Sequence, residues 1–198
     1  SDPTVRTAQV TRMINDPKIE RFVTRFTDQW LSLQDIEETT PDKKLYPEFD
    51  EILQESMVRE TRDFFRHILR NDLSVRNFID SDFTFLNERL ADHYGIAGVK
   101  GHEQQRLVPI PEEHIRGGLL TQASILKTTA NGTTSSPILR GVWVIDHLLG
   151  QPSPPPPPGV PAVEPDIRGA TTIREQLDKH RADPSCARCH HRIDPPGF

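Results

Sequence analysis

The residues with the clearest chemical meaning form a C-x-x-C-H motif near the C-terminus, Cys186-Ala187-Arg188-Cys189-His190. Two thiols three positions apart on a helical turn can each add to one haem vinyl group and make two thioether bonds. The next histidine then lies under the iron as its proximal ligand. The chain has only 2 cysteines, and both fall in this motif. The pattern therefore predicts a covalently attached haem c on Cys186 and Cys189, with His190 bound to the iron.

Other chemistries are open to the same side chains. Cys186 and Cys189 could bind zinc together with two of the three histidines His180, His190 and His191. The two cysteines could also form a redox disulfide, although oxidoreductases carry C-x-x-C early in a βαβ unit, whereas here it lies at the end of the chain. Neighbouring side chains on a helix point about 100° apart, so His190 and His191 cannot both ligate one iron from the same face.

The second axial ligand is less well defined by the sequence. The available methionines and histidines are Met13, Met57, His67, His93, His102, His114, His147 and His180. We rank His93 first as a distal ligand, because it ends an amphipathic helix and precedes a glycine turn that could open onto a pocket.

Hydrophobic periodicity predicts helices through the first half of the chain. Apolar residues recur at steps of three and four from Ile19 to Leu33. A second stripe runs from Leu53 to Ile68, with Glu60 assigned to the polar side. A third helix is predicted from Phe83 to Tyr94, ended by Gly95. Residues 97–118 look like a loop.

The second half is more varied. The Asn131-Gly132 pair predicts a tight turn between two extended pieces, and residues 138–149 and 171–181 are predicted to be helical. Residues 151–168 hold an unbroken proline run, which favours an extended linker or surface strap. The fold class is therefore mainly α, with long Pro/Gly-rich loops and at most one small β-hairpin. We expect a helical domain at 1–150, the proline-rich connection at 151–168 and a haem-attachment segment at 169–198.

The charge and hydropathy of the chain limit the classes of partner that we expect. The net charge is −5, and the charged residues, 27% of the chain, have both signs interspersed. No basic stripe is present, so nucleic acid is not an expected partner. No apolar run approaches the ~20 residues that a membrane-spanning helix needs.

Several longer stretches resemble the planctomycete-type cytochrome c family, which comprises large exported proteins with conserved domains of unknown function and a C-x-x-C-H haem motif. They cover most of the chain and are specific in combination. The stretches are YPEFD (46–50), DFTFLNERLADHYGI (82–96), RGGLLTQAS (116–124), SP (136–137), RGVWV (140–144), LLG (148–150), DPSCARCH (183–190) and IDPPGF (193–198).

The resemblance implies a bacterial protein of the periplasm or another extracytoplasmic space, with Cys186, Cys189 and His190 as haem-binding positions. It also implies that the chain is one part of a larger multi-domain polypeptide. The predicted function is electron transfer, with a redox partner that the sequence does not identify. Two alternatives stay open, namely a haem enzyme with peroxidase-like activity and a non-haem interaction module with a structural zinc at the motif.

Overall fold

The computed structural model describes residues 2–152 and 171–198. It is mainly helical, with a single small sheet among the described residues, which confirms the predicted fold class. The chain divides into two compact units, residues 1–128 and residues 129–198. The predicted proline-rich connection at 151–168 lies almost entirely outside the described residues.

Unit 1 contains five α-helices. They are α1 (Pro3–Ile14), α2 (Ile19–Trp30), α3 (Glu51–Arg70), α4 (Glu88–Tyr94) and α5 (Ala123–Thr128). Short 3-10 turns at Leu33–Glu37, Val75–Phe78 and Leu119–Thr121 connect them. The long helix α3 begins where the Asp50 carboxylate accepts a hydrogen bond from the Leu53 amide at 2.6 Å, which satisfies one of the free amides of the first turn.

Apolar side chains of α2 and α3 pack as their periodicity predicts, and they form one part of the core of unit 1. Val23 and Phe65 are buried there with Ile19. The Phe26 and Phe65 rings stack with their centroids 5.2 Å apart. A larger group of side chains joins α3 to α4 and α5, with Leu53, Met57, Leu86, Leu90, Tyr94 and Ala123 among its members.

The prediction of one helix from Phe83 to Tyr94 is wrong in its first third. Phe83–Leu86 is a strand, β1, and it pairs antiparallel with β2 (Arg106–Pro109), with Phe83 opposite Pro109 and Leu86 opposite Arg106. Its side chains alternate between half-buried and buried, the two-residue period of a strand. Asn87 then caps α4 by accepting a hydrogen bond from the Leu90 amide at 3.0 Å.

The described residues of unit 2 form three α-helices, α6 (Pro137–Trp143), α7 (Ile173–His180) and α8 (Pro184–Ile193). A π-helical turn at Val144–Leu148 continues α6, and a 3-10 turn at Pro195–Gly197 follows α8. Both predicted helices of this region are confirmed. The Asn131-Gly132 turn is also confirmed, since an antiparallel bridge joins Ala130 to Ser135 around it.

Two glycines allow the C-terminal segment to approach α6 closely. A Cβ atom on Gly141 would overlap the carbonyl oxygen of Ile193, and one on Gly197 would overlap that of Pro137. Arg140 adds a hydrogen bond from Nε to the Gly197 carbonyl at 2.7 Å. Helix α6 therefore holds the end of α8 and the 3-10 turn that follows it.

Candidate haem-attachment site

The C-x-x-C-H motif lies on helix α8. Asp183 caps this helix, since its carboxylate accepts a hydrogen bond from the Ser185 amide at 2.8 Å. Pro184 occupies the first turn, where its missing N–H costs no helical hydrogen bond. Cys186, Cys189 and His190 then stand at positions i, i+3 and i+4, so all three share one face of the helix. This placement is the one that thioether attachment with a histidine ligand requires.

The three side chains differ in exposure. Cys186 is half-buried and Cys189 is exposed, and both are free thiols. The His190 side chain is only 17% exposed, whereas His191 is exposed. The two histidines therefore have different environments, as their angular separation on the helix predicts.

His190 is held by a buried carboxylate one turn further along the chain. Its Nδ1 atom lies 2.9 Å from Oδ1 of Asp194, whose side chain is fully buried. The other carboxylate oxygen of Asp194 lies 3.2 Å from Nη1 of Arg181. An ionised carboxylate only accepts hydrogen bonds, so beside a charged Asp194 Nδ1 is the donor, and in the neutral His190 ring the lone pair is then on Nε2.

His180, the last residue of α7, packs against His190. The two ring centroids are 4.5 Å apart in an edge-to-face arrangement. Burial lowers the pKa of His180, and a charge on His190 would lower it further. Two rings in direct contact leave no space for a porphyrin between them, so His180 could not serve as a distal ligand in this arrangement.

The other predicted ligand sets have different outcomes. Within residues 2–152 and 171–198, no three His, Cys, Asp or Glu side chains are arranged to hold a metal ion. A closed zinc site normally needs four such ligands, so these residues do not assemble the zinc alternative. His93 is exposed on α4, beside the Tyr94 ring. It belongs to unit 1 and the motif to unit 2, and its role as distal ligand stays a prediction.

A second group of buried polar side chains lies in unit 1. The Glu60 carboxyl accepts hydrogen bonds from the Thr84 hydroxyl at 2.6 Å and from the Tyr94 hydroxyl at 2.5 Å. The Tyr94 oxygen in turn accepts one from the Ala123 amide, and the Arg116 guanidinium lies 3.6 Å from the centre of the Tyr94 ring. Burial raises the pKa of Glu60 to about 7 and also raises that of Tyr94.

The sequence analysis assigned one buried acid, Glu60, to the wrong face of its helix and overlooked another, Asp194. Glu60 was assigned to the polar stripe of α3 but is buried, and it bonds to residues 24 and 34 positions away. Asp194 follows His190 by four residues, a spacing that brings side chains together on a helix. The contact between His190 and Asp194 could therefore be predicted from the sequence, whereas the hydrogen-bond partners of Glu60 could not.

Comparison with known proteins gave matches to two family models. Residues 1–96 match PSD4, described as a protein of unknown function (DUF1592), and residues 116–198 match PSCyt3, described as a protein of unknown function (DUF1588). The two matches suggest a relation to the planctomycete cytochrome c-type family that the sequence resembles, and they fit a multi-domain polypeptide. No curated protein and no solved structure matched the chain. No helix in the described parts of the chain is long and apolar enough to cross a membrane.

Proposed function

We propose that the chain is a c-type cytochrome module that carries one covalent haem and transfers electrons outside the cytoplasm. The observation that carries this proposal is the geometry of α8, where Cys186, Cys189 and His190 share one face and Asp194 engages Nδ1 of the histidine. The donor set fits a haem. Attachment needs two reactive thiols and one imidazole nitrogen, and the exposed Cys189, the half-buried Cys186 and Nε2 of His190 supply them.

Attachment would consume no external oxidant. Each thiol would add across the C=C bond of one vinyl group, so that an S–C bond would form and the thiol hydrogen would go to the other vinyl carbon. The haem, once bound, supplies a one-electron couple at its iron. Cys186 and Cys189 would anchor the porphyrin through their two sulfurs, and Asp194 would orient the His190 ring. Gly141 and Gly197 allow this segment to lie against α6.

The family match supports the same proposal. The PSCyt3 model covers residues 116–198, which include the whole C-x-x-C-H motif, and its name suggests a cytochrome-like relation. We place the function in the periplasm or a similar space, because haem c attachment takes place there.

The test is production of the chain in a bacterial host with a haem c attachment system, followed by intact-mass measurement. We expect the mass to increase by one haem. Cys186→Ala with Cys189→Ala should abolish the increase, whereas His191→Ala should retain it. His191→Ala is the matched control, because it removes an imidazole adjacent to the motif without removing an anchor or the ligand. An unchanged mass for the chain with both cysteines intact would refute the proposal.

A haem enzyme with peroxidase-like activity is the second candidate, and the bond from His190 to Asp194 favours it. A carboxylate on the second nitrogen of a ligating histidine makes that histidine a stronger electron donor to the metal. Such donation helps a five-coordinate iron to cleave an O–O bond. A high-spin spectrum with rapid reaction towards peroxide would support the enzyme, whereas six-coordinate low-spin iron that ignores peroxide would support the electron carrier.

A further inference from the structure

We infer that Asp194 and Arg181 form a positioning pair for His190, in which Asp194 fixes the imidazole as its Nδ1–H tautomer and the two charges set the reduction potential of the iron in opposite directions. This inference rests on the proposed function, since it concerns the ligand of that haem. It assigns to both residues a role beyond attachment, for which only the two cysteines and the histidine are needed.

The contacts around Asp194 are those of an orienting carboxylate. One oxygen lies 2.9 Å from Nδ1 of His190 and the other 3.2 Å from Nη1 of Arg181. The Asp194 side chain is 0% exposed, and those of His190 and Arg181 are 17% and 20% exposed. Water therefore competes poorly for these bonds. With Nδ1 engaged as a donor, the imidazole has its lone pair on Nε2, the nitrogen that remains for iron.

The same contacts have an electrostatic consequence. A buried negative charge on Nδ1–H raises the basicity of the imidazole and stabilises the more positive, oxidised iron, which lowers the reduction potential. Arg181 places a positive charge on the other oxygen of the same carboxylate and so weakens this effect. Charge interactions of this kind are much stronger at a buried site than in bulk water. Removing the two charges one at a time should therefore shift the potential in opposite directions.

A purely structural role for Asp194 makes a different prediction. The main chain of Asp194 also closes the turn after α8, because its carbonyl accepts a hydrogen bond from the Gly197 amide at 3.0 Å. A residue that acted only as such a turn-former would keep its function as asparagine. In that case the tautomer of His190 would not depend on the Asp194 carboxylate.

The experiment compares three variants of the haem-loaded full chain by spectroelectrochemical titration. Asp194→Asn keeps the size and an acceptor oxygen but removes the negative charge, and we expect a more positive potential. Arg181→Gln removes the opposing positive charge, and we expect a more negative potential. Arg192→Gln is the control, because it removes a positive charge from α8 that contacts Gln151 and not Asp194. Its shift should be smaller than that of Arg181→Gln.

A second measurement does not depend on the haem. Nitrogen-15 NMR of the full chain, produced without a haem attachment system and observed at alkaline pH, reports which ring nitrogen of His190 carries hydrogen. We expect Nδ1–H, whereas free imidazole side chains favour Nε2–H. Nε2–H on His190 would overturn the inference, as would variants Asp194→Asn and Arg181→Gln that shift the potential in the same direction or no further than the control. If the chain takes up no haem, the proposed function fails, and NMR alone decides the role of Asp194.

Discussion

The buried carboxyl of Glu60 gives a quantitative prediction for unit 1. Glu60 is 1% exposed in the middle of α3, and burial raises its pKa from 4.5 to about 7 against the opposing effect of the Thr84 and Tyr94 hydrogen bonds. Near pH 6 the folded protein therefore keeps a proton on Glu60 that the unfolded chain has released. The perturbation that tests this is Glu60→Gln, which keeps the size of the side chain and cannot ionise.

The sign and size of the effect follow from linkage. Below pH 4.5 the carboxyl is protonated in both states and contributes no pH dependence. As the pH rises through 4.5, the unfolded chain loses its proton first, and the free energy of unfolding falls until the folded pKa near 7 is passed. A pKa difference from 4.5 to about 7 corresponds to about 3–4 kcal/mol, at about 1.4 kcal/mol for each pKa unit. Glu60→Gln should lack this loss.

The assay is urea unfolding at several pH values from 4 to 8, followed by the fluorescence of Trp30. The two tryptophans of the chain are Trp30 in unit 1 and Trp143 in unit 2. The parent and every variant compared with it should therefore carry Trp143→Phe, which makes the signal specific to unit 1. Glu55→Gln is the control, because Glu55 lies on α3 with its side chain 63% exposed.

We expect the unfolding free energy of the parent protein to fall relative to that of Glu60→Gln by about 3–4 kcal/mol across this range. Glu55→Gln should follow the parent at every pH. A constant difference between the parent and Glu60→Gln, or a parent that gains relative stability as the pH rises, would refute the reasoning.

Three further substitutions test contacts within each unit. Gly141→Ala should push α6 away from the α8 carbonyl that a Cβ atom would overlap. We expect it to lower the free energy of unfolding by about 1–3 kcal/mol or more and to lower the yield of attached haem. Leu139→Ala, on the exposed side of α6, should change both quantities little. Asp183→Ala removes the cap of α8 and should cost about 1 kcal/mol in denaturant unfolding, with Asp183→Ser nearly neutral. Thr61→Val leaves two buried hydrogen-bond partners unsatisfied and should cost about 1–3 kcal/mol, and Thr61→Ser should recover most of this loss.

A secondary-structure element was predicted correctly when the residues that determine it lie close together in the sequence, and missed when they do not. Helices α2, α3 and α6 were predicted because the apolar stripe that indicates each of them lies within the helix itself. The strand at Phe83–Leu86 was missed because its partner, Arg106–Pro109, lies about 20 residues further along the chain and exposes most of its side chains. The capping side chain of Asn87 was a local sign that a new element begins there.

The candidate site was likewise predictable where its determinants are local in the sequence, and not where they depend on packing between helices. The motif residues Cys186, Cys189 and His190 lie within five positions of one another, so helix periodicity alone predicts that they share one face. The contact between His180 and His190 depends on how α7 and α8 pack, and no spacing rule gives that angle. Glu60 was misassigned for a related reason, since a charged residue is placed on the polar face by default and its buried hydroxyl partners come from β1 and α4.

The central claim is that the chain carries covalent haem. The most direct test uses protein made in a host that attaches haem c, which is denatured and extracted with acid-acetone before its pyridine haemochrome spectrum is recorded. The account predicts that the haem stays with the polypeptide, shows the c-type absorption band, and is lost from Cys186→Ala with Cys189→Ala. Haem that is fully extracted, or no haem on a chain with both cysteines intact, would contradict it.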